Sequence, residues 1–147
     1  MLLKKLKELK EEGSVVGFTA STFDLLHPGH ALMLEECKLQ CDFLIVGLLT
    51  DPTISRPLSK NKPLQSTLER WLQAQSLNHI DLLIPFDTEE DLYNLVAIIM
   101  PNVRFVGEEY DGVEFTGKEL EGSGVRTIYN KRRHSYSSTK LRNKLRE

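Results

Sequence analysis

Apolar runs and helical stripes alternate along this chain at short, regular intervals. Val15-Val16-Gly17-Phe18, Phe43–Leu49, Leu82-Leu83-Ile84, Val103–Gly107 and Val125–Tyr129 are the runs. Each reads as a strand, the first two as strands buried on both faces. Between them the apolar residues recur at helical spacing, in Ala31–Leu39, from Ser66 to about Asn78, and at Leu92, Leu95, Val96 and Ile99. Helix starts are marked chemically. Ser66 with Glu69 three residues on makes a capping box, and Thr88 caps a helix that carries Asp91 in its first turn. Pro85 predicts the end of the third strand, and the Gly-rich stretch Asp111–Gly124 predicts a loop. Ser137-Ser138-Thr139 caps a last helix. Ahead of the first run, Leu2, Leu3, Leu6 and Leu9 place an apolar stripe on a short amphipathic helix, suited to packing on the domain or on a second subunit.

Repeated strand–helix units imply a parallel sheet with helices on both faces and right-handed crossovers. The expectation is an α/β, Rossmann-like, doubly wound sheet of five strands in a single domain over residues 14–147, with residues 1–13 as an extra N-terminal helix. Ligands on such sheets bind beyond the carboxyl ends of the strands, where the strand order reverses. A chain of 147 residues is ample for one buried core.

Composition narrows the partners. A formal net charge of −2 implies no polyanion. Basic residues gather between 131 and 146, but they flank a Ser/Thr cluster and Tyr129 and Tyr136, which suits a phosphate pocket better than a nucleic-acid tail. Cys37 and Cys41 are the only cysteines and read as reduced packing residues of a cytoplasmic protein. The N-terminal residues are too charged for a signal-peptide core, and no apolar run approaches membrane-spanning length.

The chemistry concentrates in Phe23-Asp24-Leu25-Leu26-His27-Pro28-Gly29-His30. This segment joins the first strand to the first internal helix, whose opening N–H groups lack partners and carry partial positive charge. Imidazoles beside such a terminus can bind phosphate oxygens, and Gly29 lets backbone come close because it has no Cβ. A zinc clip of His27 and His30 lacks the further ligands of a tetrahedral set. Lone histidines in loops are more often plain solvated side chains. Four segments follow predicted strands and can converge on one sheet edge: this one, the loop Arg56–Pro63, Gly107-Glu108-Glu109-Tyr110, and Arg132–Lys140. Taken alone, the second reads equally as a solvated loop, the third as an exposed acidic turn, and the hydroxyls of the fourth as a helix cap.

The first segment resembles the His-x-Gly-His motif of the nucleotidyltransferases, and its Phe-Asp-Leu-Leu-His form resembles the cytidylyltransferase branch, in particular glycerol-3-phosphate cytidylyltransferases. The resemblance runs from Val15 to Arg142. It implies transfer of CMP from CTP to a small phosphomonoester, glycerol 3-phosphate first among acceptors, with release of pyrophosphate. It implies catalytic roles for His27, His30, Lys62 and Arg132, and nucleotide binding by Thr22, Phe23, Lys60, Gly107, Glu109, Ser137, Ser138 and Thr139. Glu69-Arg70 matches a pair common at that place in the family. Mg²⁺ is expected with the nucleotide and not in a metal site of the protein, and a homodimer is expected, with no nucleic acid or membrane partner. The departures are Ser21 where the family has Gly, Asn78 where it is often basic, and Arg132-Arg133-His134-Ser135-Tyr136-Ser137 where it has Arg-Thr-x-Gly-x-Ser. The Ser-Ser-Thr-x-Leu-Arg ending also resembles adenylyltransferases acting on phosphorylated cofactor precursors. A catalytically inactive nucleotide-binding protein is the third reading, opposed by the two histidines and two lysines.

Overall fold

Val16–Ser21, Phe43–Leu49, Leu82–Phe86, Val103–Gly107 and Arg126–Asn130 are the strands β1 to β5. The structure is a computed structural model and describes residues 1–147. All pairings are parallel, in the order β3-β2-β1-β4-β5. The order reverses between β1 and β4, so the doubly wound sheet read from the alternation is the observed one. Five helices cover it: α1 (Leu2–Glu11), α2 (Pro28–Lys38), α3 (Thr67–Gln75), α4 (Glu89–Ile99) and α5 (Ser138–Arg146).

Two cores sit on the two faces. On one, Leu6 and Leu9 of α1 and Leu92, Val96 and Ile99 of α4 pack against Val16, Phe18, Ile45 and Phe86. On the other, Leu34 and Cys37 of α2 and Ala74 of α3 pack against Leu44, Val46, Leu48 and Phe105. Successive strand residues face opposite ways, which is why Ile45 belongs to the first core while Leu44 and Val46 belong to the second. Full burial of each such side chain contributes about 1.5–3 kcal/mol. Half of the N-terminal stripe packs on the domain, while Leu3 stays 65% exposed. Leu6 and Leu9 are 4% and 6% exposed and belong to this domain's own core.

Local chemistry sets the boundaries. Both capping boxes form: the Ser66 hydroxyl accepts from Glu69 N–H at 3.1 Å, and the Thr88 hydroxyl from Asp91 N–H at 3.1 Å. Four expectations are corrected. β3 runs through Pro85 to Phe86, because β3 is an edge strand and a residue without an N–H can face its open side. α3 stops at Gln75, well short of Asn78. Within Asp111–Gly124 the chain forms a 3₁₀ helix over Lys118–Ser123, entered and left through Gly117 and Gly124 at φ +83° and +107°. α2 begins at Pro28, earlier than the apolar periodicity shows, since the polar first turn is organised by its cap.

Register places the opening. β1 pairs with β2 along its whole length, from Val16↔Phe43 to Ser21↔Leu48. With β4 it pairs only at Gly17↔Val103 and Phe18↔Arg104. Beyond Phe18 the two central strands lose their ladder, and the segments that follow them open at that crevice.

Candidate functional site

The β1–α2 connection is held in a shape that sequence alone would not choose. Phe23 and Leu25 adopt φ of +52° and +51°, a left-handed region uncommon for residues with a Cβ. Asp24 between them is 4% exposed and holds the turn from several sides. Its carboxylate accepts Leu64 N–H and Gln65 N–H, each at 3.0 Å, and pairs with the Arg142 guanidinium. Its carbonyl accepts the Ser138 hydroxyl at 2.7 Å. Burial pushes this carboxyl up, but the two N–H groups and Arg142 outweigh it and hold it below the usual range. One carboxylate thus ties the histidine segment to the loop before α3 and to α5.

Arg70 does comparable work from α3. It is 1% exposed, and its guanidinium donates to the carbonyls of Gln65, Thr22 and Leu49 at 3.1, 3.0 and 2.7 Å, and to that of Thr50. Every one lies at or beyond the carboxyl ends of β1 and β2. Arg70 therefore fixes the rim of the crevice and is committed to backbone.

On this base the histidines form a reciprocal cap. His27 is the N-cap of α2, and its Nδ1 accepts Gly29 N–H at 3.0 Å. The Nδ1 of His30 accepts His27 N–H at 3.2 Å. The ring centroids lie 3.9 Å apart, and Phe23 packs 5.4 Å from His30. With both Nδ1 atoms accepting, the neutral rings carry their protons on Nε2 and have those N–H groups to offer. Burial pushes His30 down to about 4, helped by His27, Arg132 and His134. His27 is also lowered, by burial first and then by His134 and Arg132. Near neutral pH both rings are uncharged donors at the mouth of a helix.

The other candidate residues surround this pair unevenly. Arg132 is exposed but close enough for its charge to act on both histidines. Lys60 and Lys62 are exposed on the loop after β2. Thr22 directs its carbonyl to Arg70. Gly107 ends β4, and a Cβ there would lie 2.2 Å from Glu109 Oε2, so the exposed Glu109 carboxylate folds back over it. Ser137 is the N-cap of α5 and accepts Lys140 N–H at 3.0 Å. Ser138 is bound to Asp24, and Thr139 beside it is exposed. His134 was not singled out in the sequence. It sits over Gly29, where an added Cβ would lie 2.6 Å from its Cε1 and 2.7 Å from that of His27. The space that Gly29 leaves open is therefore occupied by imidazole.

The cytidylyltransferase-like family model matches residues 18–144. The bifunctional protein HldE of Nitrobacter hamburgensis is 35% identical over 117 residues, covering 80% of this chain and 24% of that protein. HldE of Caulobacter sp. strain K31 is 38% identical over 111 residues, covering 76% and 22%. The chain thus spans about a quarter of the length of these curated relatives. The crystal structure of a lipopolysaccharide core biosynthesis protein from Thermoplasma volcanium superposes with a TM-score of 0.63 at 25% identity, covering 85% of this chain and all of that one. Pantothenate synthetase from Thermus thermophilus, at 17% identity and a TM-score of 0.61 over 95% of this chain and 68% of that one, shares the fold. With the family model spanning sheet, crevice and both histidines, this chain belongs to the cytidylyltransferase-like family of nucleotidyltransferases.

Proposed function

We propose that this chain transfers CMP from CTP to a small phosphorylated alcohol, with glycerol 3-phosphate the first acceptor to try. The single observation that carries the reading is the reciprocal histidine cap, with two Nε2–H donors on offer beside the β1–β4 crevice. A phosphate oxygen of the acceptor bonds to the α-phosphorus in line, and the bond from that phosphorus to the oxygen of the β-phosphate breaks. Pyrophosphate leaves. The attacking oxygen is already anionic, so no general base and no covalent enzyme intermediate are needed. The protein's share is position and charge: His27 and His30 donate to the phosphate undergoing attack, while Lys62 and Arg132 hold the triphosphate from the loops after β2 and β5. Thr22, Phe23, Lys60, Gly107, Glu109 and the Ser137–Thr139 turn line the nucleotide's path in this reading. In this reading Mg²⁺ enters as part of the nucleotide substrate, on phosphates and water.

A second reading, transfer from ATP to a phosphorylated sugar, has two supports. The Ser137-Ser138-Thr139-x-Leu141-Arg142 ending resembles adenylyltransferases, and the Thermoplasma volcanium neighbour is a lipopolysaccharide core biosynthesis protein. Pyrophosphate release measured with each triphosphate, Mg²⁺ and a panel of phosphorylated polyols and sugars decides between them. CTP with glycerol 3-phosphate should give the highest kcat/KM. A higher value for ATP with a sugar phosphate would replace the first reading by the second, and no pyrophosphate with any pair would remove both. Leu68 and Leu72, 66% and 52% exposed and one turn apart on α3, support a homodimer, which light scattering in solution tests.

A further inference from the structure

His134 lies outside the motif histidines, on the loop between β5 and α5. We infer that it is a third imidazole of the phosphate site, binding the pyrophosphate portion of the nucleotide through its Nε2 edge. The inference rests on the nucleotidyl-transfer reading above and adds to it a residue that the His27–His30 pair does not require.

Three observations converge. The first is tautomer. His134 Nδ1 accepts Tyr136 N–H at 3.1 Å, as His27 Nδ1 accepts Gly29 N–H at 3.0 Å and His30 Nδ1 accepts His27 N–H at 3.2 Å. Each of the three rings has backbone on its Nδ1, so each neutral ring carries its proton on Nε2. A histidine serving only as a loop brace has no reason to repeat the arrangement of the two beside it.

The second is position. His134 Cε1 and His27 Cε1 stand 2.6 and 2.7 Å from the point where a Cβ on Gly29 would be. The two rings therefore meet over the first turn of α2. The Cε1 edge of His134 faces that turn, and its Nδ1 is held by its own loop. The N–H groups of that turn are already taken, Gly29 by His27 Nδ1 and His30 by the His27 carbonyl, so an anion there must rely on the imidazoles for its donors.

The third is charge. His134 and Arg132, two residues apart, both lower His27, and both appear again among the causes for His30. The β5–α5 loop thus sets Arg132 and His134 against the histidine pair. Ser138 and Arg142, a little further on, anchor the same segment to Asp24, so its approach to the histidine turn is built into the fold.

The test uses the full chain, with inorganic pyrophosphate and Mg²⁺ as the probe in calorimetric titration, alongside steady-state kinetics. His134→Ala should weaken pyrophosphate binding and raise KM for the nucleotide by roughly tenfold or more, the loss expected for one hydrogen bond to a charged group, with a smaller change in kcat. His134→Gln, whose amide can still donate, should recover part of that loss. Long-range ¹⁵N correlation spectra of the wild-type protein should show His134 as the Nε2–H tautomer, a readout that survives if a variant fails to fold. Unchanged pyrophosphate affinity in folded His134→Ala, or an Nδ1–H tautomer in the wild type, overturns the inference. Weakened pyrophosphate binding in a protein that turns over no triphosphate would keep His134 in a phosphate site while removing nucleotidyl transfer. Equal turnover and equal KM in wild type and His134→Ala would do the reverse.

Discussion

His27 and His30 stabilise the start of α2 with Nδ1, and in the proposed reaction the opposite ring edge, Nε2, is the one that donates to phosphate. Replacing either with alanine should lower turnover by about two to three orders of magnitude, the size seen when one donor to developing charge is lost. It should also remove one helix-capping bond, worth about 1 kcal/mol. Asparagine at position 27, itself a good cap, should restore the stability and not the rate; a thermal melt and a single-turnover assay separate the two. The depressed acidity of His30 sets a pH dependence. Its folded value of about 4 lies below the ordinary 6.5, so between those limits the unfolded chain holds the extra proton. Stability from this residue is complete above pH 6.5 and is lost as pH falls toward 4, by on the order of 3 kcal/mol. Urea titrations at pH 7.5 and pH 4.5 should show the lower midpoint at pH 4.5, and a His30→Gln variant should lose most of the difference. A bound triphosphate places negative charge beside the ring and should move the loss to the opposite side, toward easier protonation.

At the scale of elements, what was legible depended on how local its cause was. Both capping boxes, the strand at Val103–Gly107 and the helix after the histidine motif could be read because each rests on residues three or four positions apart. The start of α2 was missed because its cap is histidine, a residue that does not announce a helix start. Pro85 misled for the opposite reason: a local rule was overridden by the strand's place at the sheet edge. Asp24 was visible as part of a motif, but its partners Leu64, Gln65, Ser138 and Arg142 lie 40 to 118 positions away, and no spacing rule reaches them. Arg70 read as one of a family pair, and its burial among carbonyls could not be foreseen, since an arginine at a helix start is ordinarily solvated. His134 was passed over because only the fold brings it to Gly29. Breaking the buried pair tests the tertiary part. Asp24→Ala leaves Arg142 without its partner and two N–H groups without an acceptor, and should cost about 3–5 kcal/mol in denaturant unfolding. If the loss is below 1 kcal/mol, the left-handed turn at Phe23 and Leu25 holds itself.

Across the whole molecule, the sheet gathers charge from segments distant in the chain. In the proposed reaction Lys62 and Arg132 meet the triphosphate from loops on opposite sides of the reversal point. Arg132→Lys keeps the charge but loses the planar pair of donors, so nucleotide use should fall several-fold or more, while Lys62→Ala should slow the chemical step with less effect on affinity. Isothermal titration and single-turnover rates check both, and two unchanged variants would return these residues to the solvent. The Asp24–Arg142 link carries a different consequence, for how the protein is made. The turn that shapes the anion site is translated early, and the groups that lock it from α5 are translated more than a hundred residues later. During synthesis the sheet can form strand by strand, yet the histidines cannot settle until the ribosome has released the segment around residues 138–142. A nascent chain stalled short of that point should be folded and protease-resistant through β4, and still unable to hold a nucleotide.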